Sequence, residues 1–193
     1  PPSRRLATQA VSGEQMVDSL RPVLSELMTE TGETAVLGIL SADQQMITYL
    51  DRVECLNPIR YTVGPGDQRE LHCTAGGKLL LAYMEPSRLD RYLDSVHRTR
   101  FTPTTITDRR KLLTELNRIR EDGLSRTSDE RIAGASGLAV PVFGPDGDVA
   151  ATVLIAGPSE RMRQSAVQHE AAMRRAAGRC EAFGFVPGQT LSL

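Results

Sequence analysis

The sequence predicts an α+β fold with a curved, mainly antiparallel sheet of about six strands flanked by helices. Three observations support this fold class. Apolar residues recur with helical spacing at both ends of the chain, and β-rich runs come in two groups that contain short polar turns. Helical segments separate the two groups. Because strands joined by short turns pair antiparallel, most of the sheet is expected to be antiparallel.

The first half of the chain is predicted to form one helix and three strands. From Gly13 onward apolar residues recur at three- and four-residue spacing until the Thr31-Gly32 pair, which is expected to end the helix. Pro22 is expected to mark a kink or a restart within this helix. Three β-rich runs follow, at residues 34–40, 46–53 and 59–63.

The second half is predicted to form three helices, three strands and a terminal helix. Asp108 is placed to open the third of these helices and Gly123 to close it. Residues 144–148, Gly-Pro-Asp-Gly-Asp, are a strong hairpin signal between the last two strands. The predicted helices cover about residues 74–83, 86–93, 107–123 and 159–183, and the predicted strands cover residues 124–128, 138–143 and 149–156.

Composition and charge exclude several classes of protein. The chain has 23 basic and 24 acidic residues and a formal charge of -1, so this part alone is expected to bind DNA poorly. It contains no apolar run long enough to span a membrane and no secretion signal at its start, which predicts a cytosolic protein. Its three cysteines show no paired spacing, so neither a disulfide framework nor a clustered zinc site is predicted.

Four stretches of the sequence carry a resemblance to a known family. They are LMTETGET at residues 27–34, YLDRVE at 49–54, LHCTAGGKLLLA at 71–82, and the run from PVF at 141–143 to IAGP at 155–158. In this order and spacing they resemble the C-terminal domain of IclR-type transcriptional regulators. The resemblance implies a GAF-like fold that binds a small-molecule effector and supports assembly into a homodimer or tetramer.

The resemblance also predicts how the chain is organised. In this family a separate N-terminal winged helix-turn-helix domain binds operator DNA. We therefore interpret residues 1–12 as a linker or the tail of a missing N-terminal DNA-binding domain, and residues 13–193 as the effector-binding domain. Contact with DNA is expected only through the separate domain, and the regulator is expected to act in the cytoplasm without a membrane partner.

The start of the helix near Thr74 is the first candidate for effector binding. The first turn of a helix presents backbone N–H groups without intrahelical acceptors and the positive end of the helix dipole, which together hold anions. Ala75 and Gly76 leave this turn uncluttered, with Thr74 as the cap. The resemblance implies that residues 75 and 76 approach the carboxylate of the effector. An ordinary capped helix packed on a sheet is the alternative.

Small and apolar residues on later strands are the next candidates. Thr127 is the best polar contact, and Ala135 and Gly137 are small enough to allow close approach of a ligand. Leu154 and Ala156 share one face of the last strand by its two-residue period. Because both are apolar, we expect an organic acid with apolar bulk, aromatic acids included. The alternatives are a plain turn before a strand for residues 132–137 and ordinary core positions for the last pair.

Tyr61 and Arg69 match positions that border the pocket of the family. An arginine there would bind a carboxylate with two charge-assisted hydrogen bonds, which are stronger than neutral ones. The alternative for Arg69 is a solvated charge in a loop.

Enzyme chemistry is not predicted. Cys73 lies at a helix start beside His72, but a thiol enzyme needs a third, orienting group that the sequence does not indicate. No metal-ligand spacing occurs, so we predict no catalytic residue, metal or cofactor. The alternative function is a free-standing GAF-like sensor that acts on a protein partner, and an upstream winged helix would distinguish the two.

Overall fold

The computed structural model describes residues 13–182, which form six helices and a six-stranded antiparallel sheet. The predicted fold class is confirmed. The interpretation of residues 1–12 and the end of the chain after residue 182 lie outside the described residues. In chain order the elements are α1 Gly13–Thr31, β1 Thr34–Leu40, β2 Met46–Val53, β3 Gln68–Glu70, α2 Ala75–Ala82, α3 Pro86–Ser95, α4 Arg109–Asp122, β4 Ser125–Ser128, β5 Ala135–Phe143, β6 Val149–Pro158, α5 Ser159–Gln164 and α6 Ala166–Ala182.

The sheet joins the two halves of the chain through its central pair of strands. Its order is β3-β2-β1-β6-β5-β4, and every pair is antiparallel. Strand β1 pairs with β6 so that Thr34 lies opposite Ala156. The start of β1 therefore lies beside the end of β6, although the two are far apart in the sequence.

The sheet separates two hydrophobic cores. Alternate residues of a strand point to opposite faces, and Val153 and Ile155 accordingly join the core under α1 and α6. Leu154 and Ala156 join the other core, which contains α2, α3 and α4. Any group that binds on the α2 side is thus separated from α1 by the thickness of the sheet.

Helix α1 runs without a break through Pro22, so the predicted restart does not occur. Proline removes one intrahelical hydrogen bond, but Leu20, Val23 and Leu24 on either side of it are almost fully buried. Burial of this apolar face stabilises the helix by more than the missing bond destabilises it.

The prediction of a third strand at residues 59–63 is wrong. The strand that pairs with β2 is β3, nine residues later, with Met46 opposite Glu70. Next to Tyr49 the edge of β2 is already occupied, because the Tyr49 N–H bonds to the Asp67 carbonyl and the Gly66 N–H to the Tyr49 carbonyl. Residues 59–63 are instead held by side chains, with the Thr34 hydroxyl donating to the Tyr61 carbonyl at 2.9 Å.

Other boundaries also differ from the prediction, among them those of the terminal helix and of β5. The terminal helix is divided into α5 and α6 at Ser165, whose N–H still bonds to the Arg161 carbonyl at 3.2 Å. Strand β5 begins at Ala135, three residues earlier than the apolar run alone indicated. Among the described helices none has the length and apolarity that crossing a membrane requires.

Gly157 in β6 provides a test of the packing between β6 and the end of α1. A Cβ atom there would overlap the carboxylate of Glu33, which is fully buried and paired with Arg161. We therefore expect Gly157→Ala to lower the free energy of unfolding by about 1 to 3 kcal/mol, measured by urea denaturation.

Gly178 in α6 is the matched control, because a Cβ atom there meets nothing within 4 Å. Gly178→Ala should be neutral or stabilise by up to about 1 kcal/mol, since alanine favours helix over glycine. Equal destabilisation by both substitutions would contradict the proposed clash with Glu33.

Candidate functional site

A cavity lies between the first turn of α2, the α2 side of the sheet and the loop between β4 and β5. It encloses about 440 Å³ of space between the atoms, part of it open to solvent. The residues that line it come from seven segments of the chain, which only the folded protein brings together. They are Tyr49, Tyr61, Cys73, Thr74, Ala75, Gly76, Thr127, Glu130, Arg131, Ile132, Ala135, Ser136, Gly137, Leu154 and Ala156.

The cavity brings together eight of the nine residues that the sequence singled out, and Arg69 is the exception. Arg69 does not line the wall. Its guanidinium donates to the main-chain carbonyl of Gln68 at 2.7 Å and to Asp67 Oδ2 at 3.3 Å, at the edge of the sheet. The eight that line the cavity are Tyr61, Ala75, Gly76, Thr127, Ala135, Gly137, Leu154 and Ala156. That any of them contacts an effector stays a prediction.

The first turn of α2 is held open by its cap. The Thr74 hydroxyl accepts from the Gly77 N–H at 3.2 Å and donates to the Glu70 carbonyl at 2.8 Å. A side chain at residue 77 would come within 2.5 Å of the Leu71 main chain, so only glycine lets this turn close. Within residues 13–182 the N–H groups of Ala75 and Gly76 find no acceptor. They are the groups that an anion in the cavity would bind.

The sequence alone predicts that Gly76 leaves the first turn of α2 open for an effector. The structure gives a different reason for a glycine at this position. A Cβ atom on it would not fill the cavity but would lie 2.7 Å from Ile47 Cδ1, 2.9 Å from Leu154 Cδ2 and 3.0 Å from Thr152 Cγ2. The glycine therefore lets the α2 backbone approach the sheet. Substituting it tests the packing of the core rather than the binding of an anion.

Gly137 in β5 lies within the cavity wall. A Cβ atom on it would lie 3.3 Å from Ala75 Cβ and 3.4 Å from Thr127 Oγ1, and both of these residues line the cavity. The missing side chain thus keeps open the space between the start of α2 and β4.

The floor of the cavity is apolar. Leu154 and Ala156 are 3% and 7% exposed, and both belong to the core beneath α2. Both are therefore core residues that also line the cavity, and contact with an effector stays a prediction for them. Above them Tyr49 is buried beside Tyr61, and burial raises the pKa of the Tyr49 phenol well above its ordinary value.

Two charged residues of the loop between β4 and β5 line the cavity and were missed by the sequence analysis. The first is Arg131, whose Nε donates to Glu70 Oε2 at 2.7 Å and whose guanidinium lies 5.1 Å from the centre of the Phe101 ring. Its two terminal nitrogens have no acceptor among the described residues. The only signal in the sequence was an arginine at the edge of a Gly/Ala/Ser-rich loop, which is weak.

The second missed residue is Glu130, which belongs to a buried group of charges. Its Oε1 accepts from Lys78 Nζ at 2.7 Å, and Lys78 also donates to Glu115 Oε1 at 3.0 Å. Lys78 is fully buried and Glu130 is 7% exposed. Burial raises the pKa of the Glu130 carboxyl, while the Lys78 ammonium opposes that shift. Glu130 Oε2 has no partner in the described part of the chain.

Cys73 also lines the cavity, but its environment does not activate a thiol. Burial, followed by the nearby Glu70 carboxylate, raises the pKa of Cys73 to about 12. His72 faces elsewhere, with its Nε2 lying 2.9 Å from the Thr99 carbonyl, and burial lowers its pKa. Across residues 13–182 no three His, Cys, Asp or Glu side chains converge as metal ligands.

The chain matches one family model over residues 8–180, described as the C-terminal domain of bacterial transcriptional regulator IclR. It is 36% identical to the HTH-type transcriptional regulator BhcR of Paracoccus denitrificans over 89% of this chain and 61% of BhcR. It is 32% identical to the HTH-type transcriptional regulator KdgR of Escherichia coli over 90% of this chain and 65% of KdgR. The chain thus spans less than two thirds of the length of either relative.

The fold is also similar to a solved structure. The crystal structure of the C-terminal domain of E. coli KdgR matches with a TM-score of 0.77 and 30% identity, over 88% of this chain and 98% of that one. This neighbour is a C-terminal domain alone, so the similarity extends over nearly its whole length.

The raised pKa of Cys73 predicts a thiol that reacts slowly. At pH 8 a thiol of pKa about 12 is almost entirely protonated, and the thiolate is the reactive form. We expect Cys73 in the folded protein to be alkylated by iodoacetamide at least about a hundredfold more slowly than in 6 M guanidinium chloride. Peptide mass spectrometry assigns the label to Cys73, and equal rates in both solutions would contradict this prediction.

Proposed function

The chain belongs to the IclR family of bacterial transcriptional regulators, as a C-terminal domain, and we propose that it binds the small-molecule effector of such a regulator. Its relatives are transcriptional regulators, and the chain is not an enzyme. The proposed effector is a small organic acid with an apolar body, which includes aromatic acids. The proposed site is the cavity beside the first turn of α2.

One observation carries this proposal: N–H groups without an acceptor in the described part of the chain belong to residues that line the same cavity as two apolar side chains. The N–H groups of Ala75 and Gly76 lie at the positive end of α2 and have no acceptor within residues 13–182. An anion gains both hydrogen bonds and favourable interaction with the helix dipole there. Leu154 and Ala156 offer apolar surface to the rest of the bound acid.

Arg131 is the proposed partner of the carboxylate, in place of Arg69. Its terminal nitrogens are free of protein acceptors within the described residues, and it lines the cavity. The bond from its Nε to Glu70 fixes the guanidinium without using those nitrogens. A preorganised guanidinium binds a carboxylate with two strong hydrogen bonds.

We propose that α1, which lies on the opposite face of the sheet, couples effector binding in the cavity to DNA binding. The loop that lines the cavity is tied to the start of α5, because the Ser159 hydroxyl donates to Asp129 Oδ1 at 2.8 Å. Two residues later Arg161 NH2 donates to Glu33 Oε2 at 2.6 Å, immediately after the end of α1. Movement of the loop on binding would thus displace α1 and a separate DNA-binding domain attached before it.

The regulator is further proposed to act in the cytoplasm as a homodimer or tetramer, with operator DNA bound by a separate domain. The alternative, a free-standing sensor that acts on a protein partner, is not favoured. Both relatives described above are HTH-type transcriptional regulators.

A thermal-shift screen of the purified chain against aliphatic and aromatic carboxylates tests the proposed effector class. A ligand at a hundred times its Kd adds about 2.7 kcal/mol to stability, which such a screen detects. The tightest acid is then titrated calorimetrically against Arg131→Gln. We expect affinity to fall about 10- to 100-fold, because a charge-assisted pair to the carboxylate is lost.

Two control variants separate the loss of the Arg131 bond to the acid from general damage to the loop between β4 and β5. Glu70→Gln removes the charge of the Glu70–Arg131 pair, but the amide oxygen of Gln can still accept from Arg131 Nε and keep the guanidinium in place, so affinity should change by less than about threefold. Arg69→Gln removes a positive charge that does not line the cavity and should likewise have little effect. If Arg69→Gln weakened binding more than Arg131→Gln, the assignment of Arg131 would be wrong.

Substitutions at two glycines distinguish an effect on ligand binding in the cavity from an effect on packing of the core. Gly137→Ala adds a methyl group between Ala75 and Thr127 and should lower affinity at least about tenfold while changing stability by less than about 1 kcal/mol. Gly76→Ala inserts its methyl group against Ile47 and Leu154 and should instead lower stability by about 1 to 3 kcal/mol. Unfolding and binding measured for both variants check this, and unchanged affinity in Gly137→Ala would place the ligand elsewhere.

A further inference from the structure

We infer that Lys78 is a positioning residue for the cavity: it sets which residue of the loop between β4 and β5 faces inward, and so places Arg131 in the cavity wall. Lys78 does not itself line the cavity. It acts through Glu130, whose Oε1 accepts from Lys78 Nζ at 2.7 Å. This inference rests on the proposed function, because Arg131 is the residue proposed there to bind the acid.

The stability of the fold does not explain a buried lysine in α2. All eight residues of this helix are buried, and the other seven are alanine, glycine or leucine. Removing an ammonium group from water is costly, and replacing a buried ion pair by apolar residues of similar size is often neutral or stabilising. We therefore expect the charge of Lys78 to select one arrangement of the neighbouring segments rather than to add stability.

The loop has few other contacts that could select its arrangement. Of residues 129–134 only Glu130 is buried. The Thr102 hydroxyl donates to the Asp129 carbonyl at 2.6 Å, and the Thr105 hydroxyl donates to the Glu130 carbonyl at 2.6 Å. Every residue has a main-chain carbonyl, so these bonds hold the loop in place without distinguishing one residue from the next.

The strand that leads into the loop does not fix its arrangement on the cavity side either. Strand β4 contains no apolar residue, so hydrophobic alternation cannot set its register against β5. Arg126 pairs with Glu170 of α6 and thereby holds β4 on the other face of the sheet. On the cavity side the register depends on side chains of the loop itself.

Two ion pairs distinguish the residues of the loop by their charge. Glu130 faces Lys78 of α2, and Arg131 faces Glu70 of β3. A shift of the loop by one residue in one direction would bring Arg131 towards Lys78, and a shift in the other direction would bring Glu130 towards Glu70. Like charges repel, and water screens them little next to the buried Lys78. Only the observed arrangement pairs both charges of the loop.

The base of the loop offers a way to measure whether this arrangement is kept. The Asp129 N–H bonds to the Ala135 carbonyl at 3.0 Å, and the Gly134 N–H bonds to Asp129 Oδ1 at 2.6 Å. Asp129 has a φ of 58°, which is unfavourable for a residue other than glycine and is kept only where surrounding contacts enforce it. The two amides should therefore exchange with deuterium faster once the loop loses its arrangement.

The variant Lys78→Met combined with Glu130→Met tests the inference, because it removes both charges and keeps side chains of similar size. Glu115 keeps Arg118 as a partner in this variant, so no buried carboxylate is left without a cation. We expect the Asp129 and Gly134 amides to exchange about tenfold faster or more by NMR, while the urea midpoint of unfolding stays the same or rises. Unchanged exchange at these amides, or a lower midpoint with exchange raised equally in β1 and β6, would overturn the inference.

Two single substitutions are the matched controls. Glu115→Gln alters the other partner of Lys78, which lies in α4, and leaves the Lys78–Glu130 pair in place. Glu130→Gln keeps an oxygen that accepts from Lys78 Nζ. Exchange at the base of the loop should change by less than about twofold in Glu115→Gln, and should rise less in Glu130→Gln than in the double variant. Loosening of the loop by Glu115→Gln as large as in the double variant would contradict the assignment to the Lys78–Glu130 pair.

Binding measurements separate this inference from the proposed function. Calorimetry with benzoate and hexanoate as probes should show affinity about tenfold lower or more in the double variant, and within about threefold of the unmodified chain in Glu130→Gln. Unchanged affinity in the double variant would show that Lys78 does not position Arg131, and the proposed function would stand. Failure of both acids to bind the unmodified chain counts against the proposed function, and the exchange measurement still decides whether Lys78 sets the arrangement of the loop.

Discussion

The close approach of α2 to the sheet is the constraint on which the rest of the site depends. Two adjacent glycines make it possible, Gly76 against the side chains of the sheet and Gly77 against the main chain of Leu71. The approach also buries the next residue, Lys78, completely. A buried ammonium requires anionic partners, and these come from α4 and from the loop between β4 and β5. The position of that loop, and with it one wall of the cavity, therefore follows from the packing of a single helix.

Elements with local signals could be predicted from the sequence, and elements set by distant partners could not. Asp108 and Gly123 bound α4 as expected, since a cap depends on residues within a few positions of it. The hairpin between β5 and β6 likewise follows from the turn at residues 144–148. Residues 59–63 have β-forming composition, but the edge of β2 that they would need is occupied by the loop that follows them. Composition cannot reveal this competition, because it is decided only when the chain is folded.

The same distinction applies to the candidate site. Its small and apolar residues were found through a resemblance between motifs and through the two-residue period of a strand, both of which are visible in the sequence. The roles of Glu130 and Arg131 depend on Lys78 and Glu70, which are 52 and 61 residues away along the chain. Neither residue has a local pattern that separates it from a solvated charge. Gly76 was predicted to approach the carboxylate of the effector, and only the structure showed that the space beside its Cα is taken by side chains of the core.

The order of the strands has a consequence for the behaviour of the chain in concentrated solution. The two strands with a free edge are β3, of three residues, and β4, of four. An open edge is a template on which a strand of another molecule can pair, and long flat edges lead to aggregation. Here the longest strands, β5 and β6, lie inside the sheet, and each edge offers only a few backbone groups. Edge-to-edge aggregation is therefore disfavoured by the topology, and the charged side chains of Arg69 and Glu70 in β3 and of Arg126 in β4 act in the same direction.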